Sequence, residues 1–321
     1  MSYKKTKLVV GFIVYNDLTA KYLSFFLPSL HAQSFTDYTI IAVDNSENKN
    51  NSNFAYLNNY YPEIIIKQLG VNIGYARAYN LIIREAAYRE AKYILMINPD
   101  MIAETDLFEK LFKEMESETN LGSVSPKVKN WNFTDNKKTN IIDTCGLDLK
   151  PGLKFIDIGQ SQVDNGQFDN KKILGPSGAA GFYRLSALEK IKFNGQYFDE
   201  LMFMYKEDCD LAYRLYLAGY ESKLVPEAII YHDRTVAGRG ENDIEIALNR
   251  KNKSRQVKKW SFLNQLIIFV KYWRRQNFLN KLALVWFFSR MLIFIVLFEP
   301  YLIREFSSLY KIKNKIFRYG L

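Results

Sequence analysis

Apolar and polar positions follow two alternating patterns through the first hundred residues. Short continuous apolar runs, typical of strands buried on both faces, alternate with longer segments in which apolar residues recur at helical spacing. The predicted strands are Leu8–Tyr15, Thr39–Val43, Ile64–Leu69 and Tyr93–Ile97, and the predicted helices are Leu18–Leu30 and Tyr75–Glu90. This alternation predicts an α/β fold with a doubly wound, mainly parallel sheet. The polar stretch 45–53 is predicted to be a turn, and residues 130–170 are predicted to be loops with short strands. Two more short strands are predicted near 222–225 and 229–231.

Polar segments follow three of these strands. Asp44 comes directly after the second strand, Gly70–Gly74 after the third, and Asp100 after the fourth. In doubly wound sheets, ligands bind at the carboxyl ends of the strands. We therefore expect these three segments to lie at one edge of the sheet and to form a ligand site.

The first segment, Asp44-Asn45-Ser46, has side chains suited to a nucleoside. A carboxylate can accept the imide N–H of uracil or thymine, and Asn45 or Ser46 can hold a ribose. Asp followed by Asn at a strand end is also typical of an ordinary turn. Both interpretations stay open from the residues alone.

The second segment is a glycine-rich turn before a helix. Gly70 and Gly74 enclose Asn72, and Arg77 lies in the first turn of the predicted helix. Glycines let a backbone approach a ligand closely, and a helix N-terminus favours a phosphate. The pattern indicates a nucleotide site, with plain loop chemistry as the alternative.

The third segment is Asn98-Pro99-Asp100. Pro99 ends the strand and leaves Asp100 at the sheet edge. A hard divalent cation binds carboxylate and phosphate oxygens together and would act as a Lewis acid on a diphosphate. The alternative is a cap for the helix near Leu107, although Glu104 lies nearer to that helix.

Two further features can carry chemistry. Glu207, Asp208 and Asp210 fall within four residues, directly after an aromatic and Met-rich stretch. A carboxylate in partly apolar surroundings is suited to take a proton from a sugar hydroxyl, while the alternative is an acidic helix start. His232 follows two short predicted strands and is either a site residue or a structural histidine.

The charge is distributed unevenly. The net charge is +10, yet residues 250–321 contain 16 Lys and Arg against only Glu299 and Glu305, so the preceding residues are net acidic. An acidic body argues against a nucleic-acid binder. A basic end that is rich in apolar residues indicates an anionic membrane surface.

Two strongly apolar segments lie in this basic end, Phe262–Trp273 and Leu282–Phe298. The second is only 17 residues long and carries Arg290 near its centre, which disfavours a simple membrane span. Helices that lie in the membrane interface fit better. The alternative is a pair of helices packed on the main domain. We divide the chain into a catalytic domain, 1–245, and a helical membrane-associating extension, 246–321.

Taken in order, the motifs resemble family-2 glycosyltransferases, and within them the rhamnosyltransferase-like group. The resemblance covers roughly residues 6–240. The matching stretches are Phe12-Ile13-Val14-Tyr15-Asn16, Val43-Asp44-Asn45-Ser46, Asn72-Ile73-Gly74-Tyr75-Ala76, Ile97-Asn98-Pro99-Asp100, Gly166-Gln167-Phe168, Gly178-Ala179-Ala180, Phe198-Asp199-Glu200 and Glu207-Asp208-Cys209-Asp210-Leu211.

The resemblance implies a GT-A fold, a nucleotide-diphosphate sugar donor and a divalent cation, Mg²⁺ or Mn²⁺. It gives Asp44 the contact to the base and places Asn72 and Gly74 in the nucleotide pocket. Asp100 would hold the cation as the last residue of the family's Asp-x-Asp motif. Asn98 stands where the commoner motif has its first Asp, which leaves one carboxylate for the cation.

The resemblance also assigns the reaction. Asp208, beside Glu207, would be the catalytic base of a single, inverting displacement, and His232 would assist the cation or the diphosphate. The expected donor is dTDP-L-rhamnose and the expected acceptor is a lipid-linked saccharide, at the cytoplasmic face of the membrane. The alternatives are a nucleotidyltransferase or dehydrogenase, and a non-catalytic nucleotide-sugar-binding protein. The Gly70–Gly74 turn lacks the full dehydrogenase fingerprint.

Overall fold

The structure is a computed structural model that describes residues 5–233 and 253–316. Its strands are β1 (Leu8–Val14), β2 (Tyr38–Asp44), β3 (Ile65–Gln68), β4 (Tyr93–Ile97), β5 (Met101–Ala103), β6 (Leu121–Asn132), β7 (Lys137–Thr144), β8 (Leu147–Lys150), β9 (Lys154–Asp157), β10 (Ala180–Arg184) and β11 (Glu221–His232). Its α-helices are α1 (Asn16–His31), α2 (Ser52–Tyr60), α3 (Tyr75–Tyr88), α4 (Leu107–Ser117), α5 (Leu185–Ile191), α6 (Glu207–Leu217), α7 (Arg255–Tyr272), α8 (Phe278–Phe298) and α9 (Glu305–Ile312).

Nine strands form one central sheet. Its order is β3-β2-β1-β4-β10-β6-β11-β5, and β7 pairs with β6 outside this path. Strands β3, β2, β1 and β4 run parallel, as do β6 and β11, while β10 joins the two groups antiparallel to both β4 and β6. The predicted α/β, mainly parallel sheet is confirmed.

Helices cover both faces of this sheet. On one face, α1 and α4 pack against alternate residues of β1, including Leu8 and Phe12. On the other face, α3, α5 and α6 pack against the intervening residues, such as Val9. Because β1 is buried on both sides, its sequence is a continuous apolar run rather than an alternating one.

Two local predictions differ from the structure. The polar stretch 45–53, which suggests a turn, ends in helix α2, because the Asn51 side chain caps the N–H of Phe54 and Leu57 is fully buried. The two short strands predicted near 222–225 and 229–231 are one strand, β11, with a register shift between Val225 and Ile229. That irregularity interrupts the apolar pattern in the sequence.

The C-terminal helices differ in their burial. Helix α7 packs on α6 and on the β8–β9 hairpin, with Ile267 and Ile268 fully buried. In the described part of the chain, α8 is the one helix long and apolar enough to cross a membrane, and only 11% of its most apolar window is buried. The predicted boundary between residues 245 and 246 lies outside the described residues.

The β8–β9 hairpin approaches α8 at a glycine. Gly152 has a φ of +83°, and a Cβ at this position would lie 2.8 Å from the carbonyl oxygen of Ala283. A larger residue would therefore strain the turn and push the hairpin away from the helix.

Candidate active site

The carboxyl ends of β2 and β4 and the end of β11 bring the predicted site residues to one edge of the sheet. Asp44 is the last residue of β2, Asp100 follows β4, and His232 is the last residue of β11. Asp208 lies in the first turn of α6. We name the two sides of this candidate site after their predicted roles: the nucleotide side, formed by the loops after β2 and β3, and the catalytic side, formed by Asp100, His232 and α6.

On the nucleotide side, Asp44 is fully buried and already bonded within its loop. Its Oδ1 accepts the N–H of Ser46 at 3.1 Å, and its Oδ2 accepts from Asn51 at 2.8 Å and Gln68 at 3.1 Å. The hydroxyl of Ser46 in turn accepts the N–H of Asn16 at 2.7 Å. These bonds show that Asp44 orders the loop, while its contact to a pyrimidine base stays a prediction.

Asn45 connects this loop to the glycine-rich turn. Its Nδ2 donates to Asn72 Oδ1 at 2.9 Å, and its Oδ1 accepts the N–H of Ile73 at 2.9 Å. Gly74 has a φ of +83°, and a Cβ there would lie 2.6 Å from the carbonyl oxygen of Phe203. The turn therefore requires glycine at this position, and Asn45, Asn72 and Gly74 form one wall of the site.

The N-terminus of α3 meets the loop before α6. The N–H of Tyr75 donates to the carbonyl of Phe203 at 2.8 Å, so this helix-end donor is used inside the protein. Arg77 lies at the rim, with its Nε 3.4 Å from Glu200 and its side chain half exposed. An exposed ion pair of this kind contributes little to stability, so the guanidinium can turn toward an anionic ligand at small cost.

On the catalytic side, Asp100 and His232 face each other. His232 Nε2 lies 3.3 Å from Asp100 Oδ1, and Nδ1 lies 2.8 Å from Asp143 Oδ2. Burial lowers the pKa of His232, but the charges of Asp100 and Asp143 and the hydrogen bond to Asp143 raise it more, to about 10. Asn98 also belongs to this edge, where its backbone N–H donates to the carbonyl of Ala179 at 2.9 Å.

The Asp100–His232 pair can supply part of a cation site. Asp100 Oδ1 is buried and accepts no hydrogen bond of good geometry, so it has a lone pair available for a ligand. Within residues 5–233 and 253–316, no three His, Cys, Asp or Glu side chains converge on one point. A cation here would therefore take most of its ligands from a diphosphate and water, as Mg²⁺ commonly does.

Asp208 lies opposite a small-residue turn. Its Oδ2 accepts the N–H of Gly178 at 2.8 Å, and a Cβ on Gly178 would lie 3.3 Å from that oxygen. Tyr205 and Lys206, directly before α6, both have positive φ values near +70°. Two consecutive side-chain-bearing residues in this conformation are unusual, and such strain is often found at functional sites.

Two neighbouring tyrosines, Tyr75 and Tyr79, lie between the end of β4 and the start of α6. Burial raises the pKa of Tyr79 well above its usual value, and the charges of Asp100 and Glu207 raise it further. Similarly, burial raises the pKa of Tyr75, with contributions from Glu207 and Asp208. The two rings lie 4.6 Å apart. The Tyr79 hydroxyl donates to the carbonyl of Ile97 at the end of β4, and the Tyr75 hydroxyl donates to the carbonyl of Gly178, whose N–H donates to Asp208.

Asp210 has a different role from its neighbours in the acidic segment. Its Oδ1 lies 2.7 Å from Lys271 Nζ and accepts the hydroxyl of Tyr272 at 2.7 Å, while its Oδ2 accepts from Arg214 at 2.9 Å. Burial raises the pKa of Asp210, but Lys271 and Arg214 lower it overall, so the group is ionised. Lys271 also contacts Asp199 at 2.8 Å, which joins α7 to the loop before α6.

Two partners were not predicted from the sequence. Asp143 lies in the stretch 130–170, which suggests loops and short strands, yet it is fully buried beside His232. Lys271 lies in an apolar segment that suggests a membrane helix. A lone charged residue inside an apolar run is the one signal that could have indicated either of them.

The fold and the acidic groups at the strand ends define an α/β protein with a candidate ligand site, and comparison with known families makes its class specific. The profile described as Glycosyl transferase family 2 matches residues 10–192, more than half of the chain, and that of Glycosyl transferase family group 2 matches residues 154–310. The chain belongs to glycosyl transferase family 2. A search of curated proteins found no significant match.

Solved structures with the same fold are GT-A glycosyltransferases. S. aureus TarS has a TM-score of 0.51 and 16% identity, over 83% of this chain and 49% of TarS. GalNAc-T7 with UDP, GalNAc and Mn²⁺ has a TM-score of 0.59 and 11% identity, over 84% of this chain and 49% of that one. The mannosyltransferase PcManGT from Pyrobaculum calidifontis, with GDP-Man and Mn²⁺, has a TM-score of 0.53 and 12% identity, over 97% and 76%. The chain thus spans about half the length of TarS and GalNAc-T7, and the GT-A fold is confirmed.

Proposed function

We propose that this family-2 glycosyltransferase moves a sugar from a nucleotide-diphosphate donor to a saccharide hydroxyl with inversion, and that it needs a divalent cation. The observation that carries the proposal is the arrangement of Asp100 with His232, and of Asp208 with Gly178, around the neighbouring rings of Tyr75 and Tyr79. Asp100 and His232 suit the leaving diphosphate, and Asp208 suits the attacking hydroxyl.

Asp100 and His232 would hold the cation, which when bound neutralises the charge that develops on the leaving diphosphate. The buried Asp100 oxygen without a well-aligned hydrogen bond fits this role. The Mn²⁺ in the structures of GalNAc-T7 and PcManGT supports the choice of a divalent cation. Arg77, at the rim, can add a second positive charge near the phosphates.

Asp208 would act as the general base. The acceptor oxygen forms a bond to the anomeric carbon while the bond from that carbon to the diphosphate oxygen breaks, and Asp208 takes the hydroxyl proton. Its Oδ2 already accepts the Gly178 N–H at 2.8 Å, which fixes the carboxylate in place. A single displacement inverts the anomeric centre, so an α-linked donor gives a β-linked product.

The donor we favour is a pyrimidine nucleotide sugar, with dTDP-L-rhamnose as the specific proposal. It is supported by the resemblance of the motifs to the rhamnosyltransferase-like group and by the position of Asn45 and Ser46 beside Asp44. The GDP-Man bound to PcManGT shows that a protein of this fold can also take a purine donor. Tighter binding of GDP than of UDP and dTDP would contradict the pyrimidine proposal.

The acceptor we propose is a lipid-linked saccharide, bound by a peripheral enzyme at the cytoplasmic face of the membrane. The support is α8, on which large apolar side chains are solvent-exposed from one end of the helix to the other; Trp286 and Leu297, for example, are each 67% exposed, while Leu284 and Ile295 are buried. A large exposed apolar surface of this kind marks an interaction site. Basic residues flank it on both sides, which suits an anionic leaflet.

The base assignment has a direct test. Asp208→Asn should lower kcat by about 10²–10⁴-fold, because general base catalysis contributes about that much, while donor affinity stays near wild type. Asp106→Asn is the matched control, since Asp106 is half exposed and pairs only at the surface with Lys110. If Asp208→Asn turned over normally and Glu207→Gln were inactive, the base would be Glu207 instead.

A further inference from the structure

The carboxylate of Asp143 contacts the ring nitrogen of His232 that does not face Asp100. It is fully buried, and its Oδ2 lies 2.8 Å from Nδ1 of the ring. The other ring nitrogen, Nε2, faces Asp100 at 3.3 Å. The imidazole is therefore fixed between two carboxylates, of which only Asp100 belongs to the predicted cation site.

A β-bulge in strand β7 determines the direction of the Asp143 side chain. Strand β7 pairs with β6 through Thr144 opposite Val128 and Ile142 opposite Lys129, with a register shift between them. Two positions on β6 thus face three on β7, and Asp143 is the extra residue of this β-bulge. Bulges next to active sites commonly redirect a side chain, and here the redirected group reaches His232.

Strand β6 separates the two residues in the sheet. It pairs with β11 on its other side, where Asn130 lies opposite His232. The contact between Asp143 and His232 therefore crosses an intervening strand, and a regular pairing of β7 would not bring these residues together. The bulge brings the Asp143 carboxylate to one particular histidine. We take this as a specific contact rather than as ordinary ion pairing in the core.

From this geometry we infer that Asp143 is a positioning residue that orients His232 for cation binding. A carboxylate that holds one ring nitrogen of a histidine fixes the ring, and a cation that binds the other nitrogen displaces the proton from it. The inference rests on the cation site of the proposed function, and it adds to that function a residue which would not touch the cation itself.

Mn²⁺ binding to the full chain tests this inference without any measurement of turnover. Free Mn²⁺ is titrated in the presence of UDP and followed by electron paramagnetic resonance. Asp143→Ala should weaken Mn²⁺ binding by about 10–100-fold, as removal of such partners commonly does. Asp143→Asn, which keeps an oxygen that can accept from Nδ1, should recover part of the loss and serves as the main variant if Asp143→Ala does not fold.

The double variant separates positioning from general stability. In a His232→Gln background, Asp143→Asn should have no further effect on Mn²⁺ affinity, because the ring that it orients is gone. The inference would be overturned if Asp143→Asn lowered Mn²⁺ affinity equally in the wild-type and His232→Gln backgrounds. Wild-type Mn²⁺ affinity in Asp143→Ala would also overturn it. Donor turnover is measured separately, so a chain that shows the expected Mn²⁺ series but transfers no sugar would refute the proposed function alone.

Discussion

Helices α7 and α8 are both rich in apolar residues, yet they occupy opposite environments. In α7, Ile267 and Ile268 are fully buried against the catalytic body. In α8, Trp286 and Leu297 are each 67% exposed, and only Leu284 and Ile295 are buried. The sequence left two interpretations open for these helices, packing on the main domain or lying in a membrane interface. Helix α7 packs on the main domain, whereas α8 has the exposed apolar surface that the membrane interpretation requires.

Two polar residues of α7, Asn264 and Lys271, explain why this helix is buried and α8 is not. Asn264 of α7 donates to the carbonyls of Met204 at 2.9 Å and Tyr205 at 2.7 Å, directly before helix α6. Lys271 joins Asp199 and Asp210 in the buried ion network. Helix α7 thus satisfies polar groups of the catalytic body, which a helix in a membrane interface could not do. Apolar content alone does not distinguish a core helix from a surface one.

The largest expected effect concerns Lys271. Lys271→Met should destabilise the protein by about 3–5 kcal/mol, because it leaves Asp199 and Asp210 with too little compensating charge in the core. Chemical denaturation measures the loss. Arg274→Met, three residues later and exposed, is the control and should change stability by no more than about 0.5 kcal/mol. Equal stability of both variants would show that α7 is not part of the folded body.

A smaller effect is expected for α8, on membrane binding rather than stability. Trp286→Glu with Leu297→Glu should weaken binding to anionic vesicles at least about a hundredfold, because burial of each such side chain contributes about 1.5–3 kcal/mol. Sedimentation with phosphatidylglycerol vesicles measures it. Tyr60→Glu, at a 68% exposed position on α2, is the matched control. Unchanged sedimentation of the α8 variant would mean that this face does not contact the membrane.

The smallest effect concerns the basic residues near α8. Lys311→Gln with Lys313→Gln should weaken vesicle binding by up to about thirtyfold at low salt, since each basic residue near an anionic leaflet contributes about 1 kcal/mol. At about 1 M salt the two proteins should bind equally, because the Debye length falls to about 3 Å. Both lysines are exposed in α9 and just after it. A difference that persisted at high salt would indicate lost packing instead of lost charge.

The sequence predicted the parts of the site that depend on local order. The strands of the parallel sheet, and with them the position of Asp100 after β4, follow from apolar runs and turn residues. Asp208 followed from the acidic start of a helix together with the family resemblance. These features need only a few neighbouring residues to be recognised.

The parts that the sequence did not predict depend on contacts between distant segments. Asp143 reaches His232 across 89 residues and an intervening strand, through a bulge that no local pattern indicates. Lys271 pairs with Asp199 across 72 residues. Helix α2 was missed because its nine residues bury little more than Leu57 and Asn53, so its apolar pattern is weak.

The central claim is that the strand-end site uses a divalent cation at Asp100 to release a nucleoside diphosphate. Its most direct test measures diphosphate release from UDP-, dTDP- and GDP-sugars by the purified full chain with Mn²⁺ or Mg²⁺. We predict turnover of at least one donor, its loss in excess chelator, and its loss in folded Asp100→Ala. Full turnover in chelator, or nucleotide binding without turnover of any donor, would contradict the account.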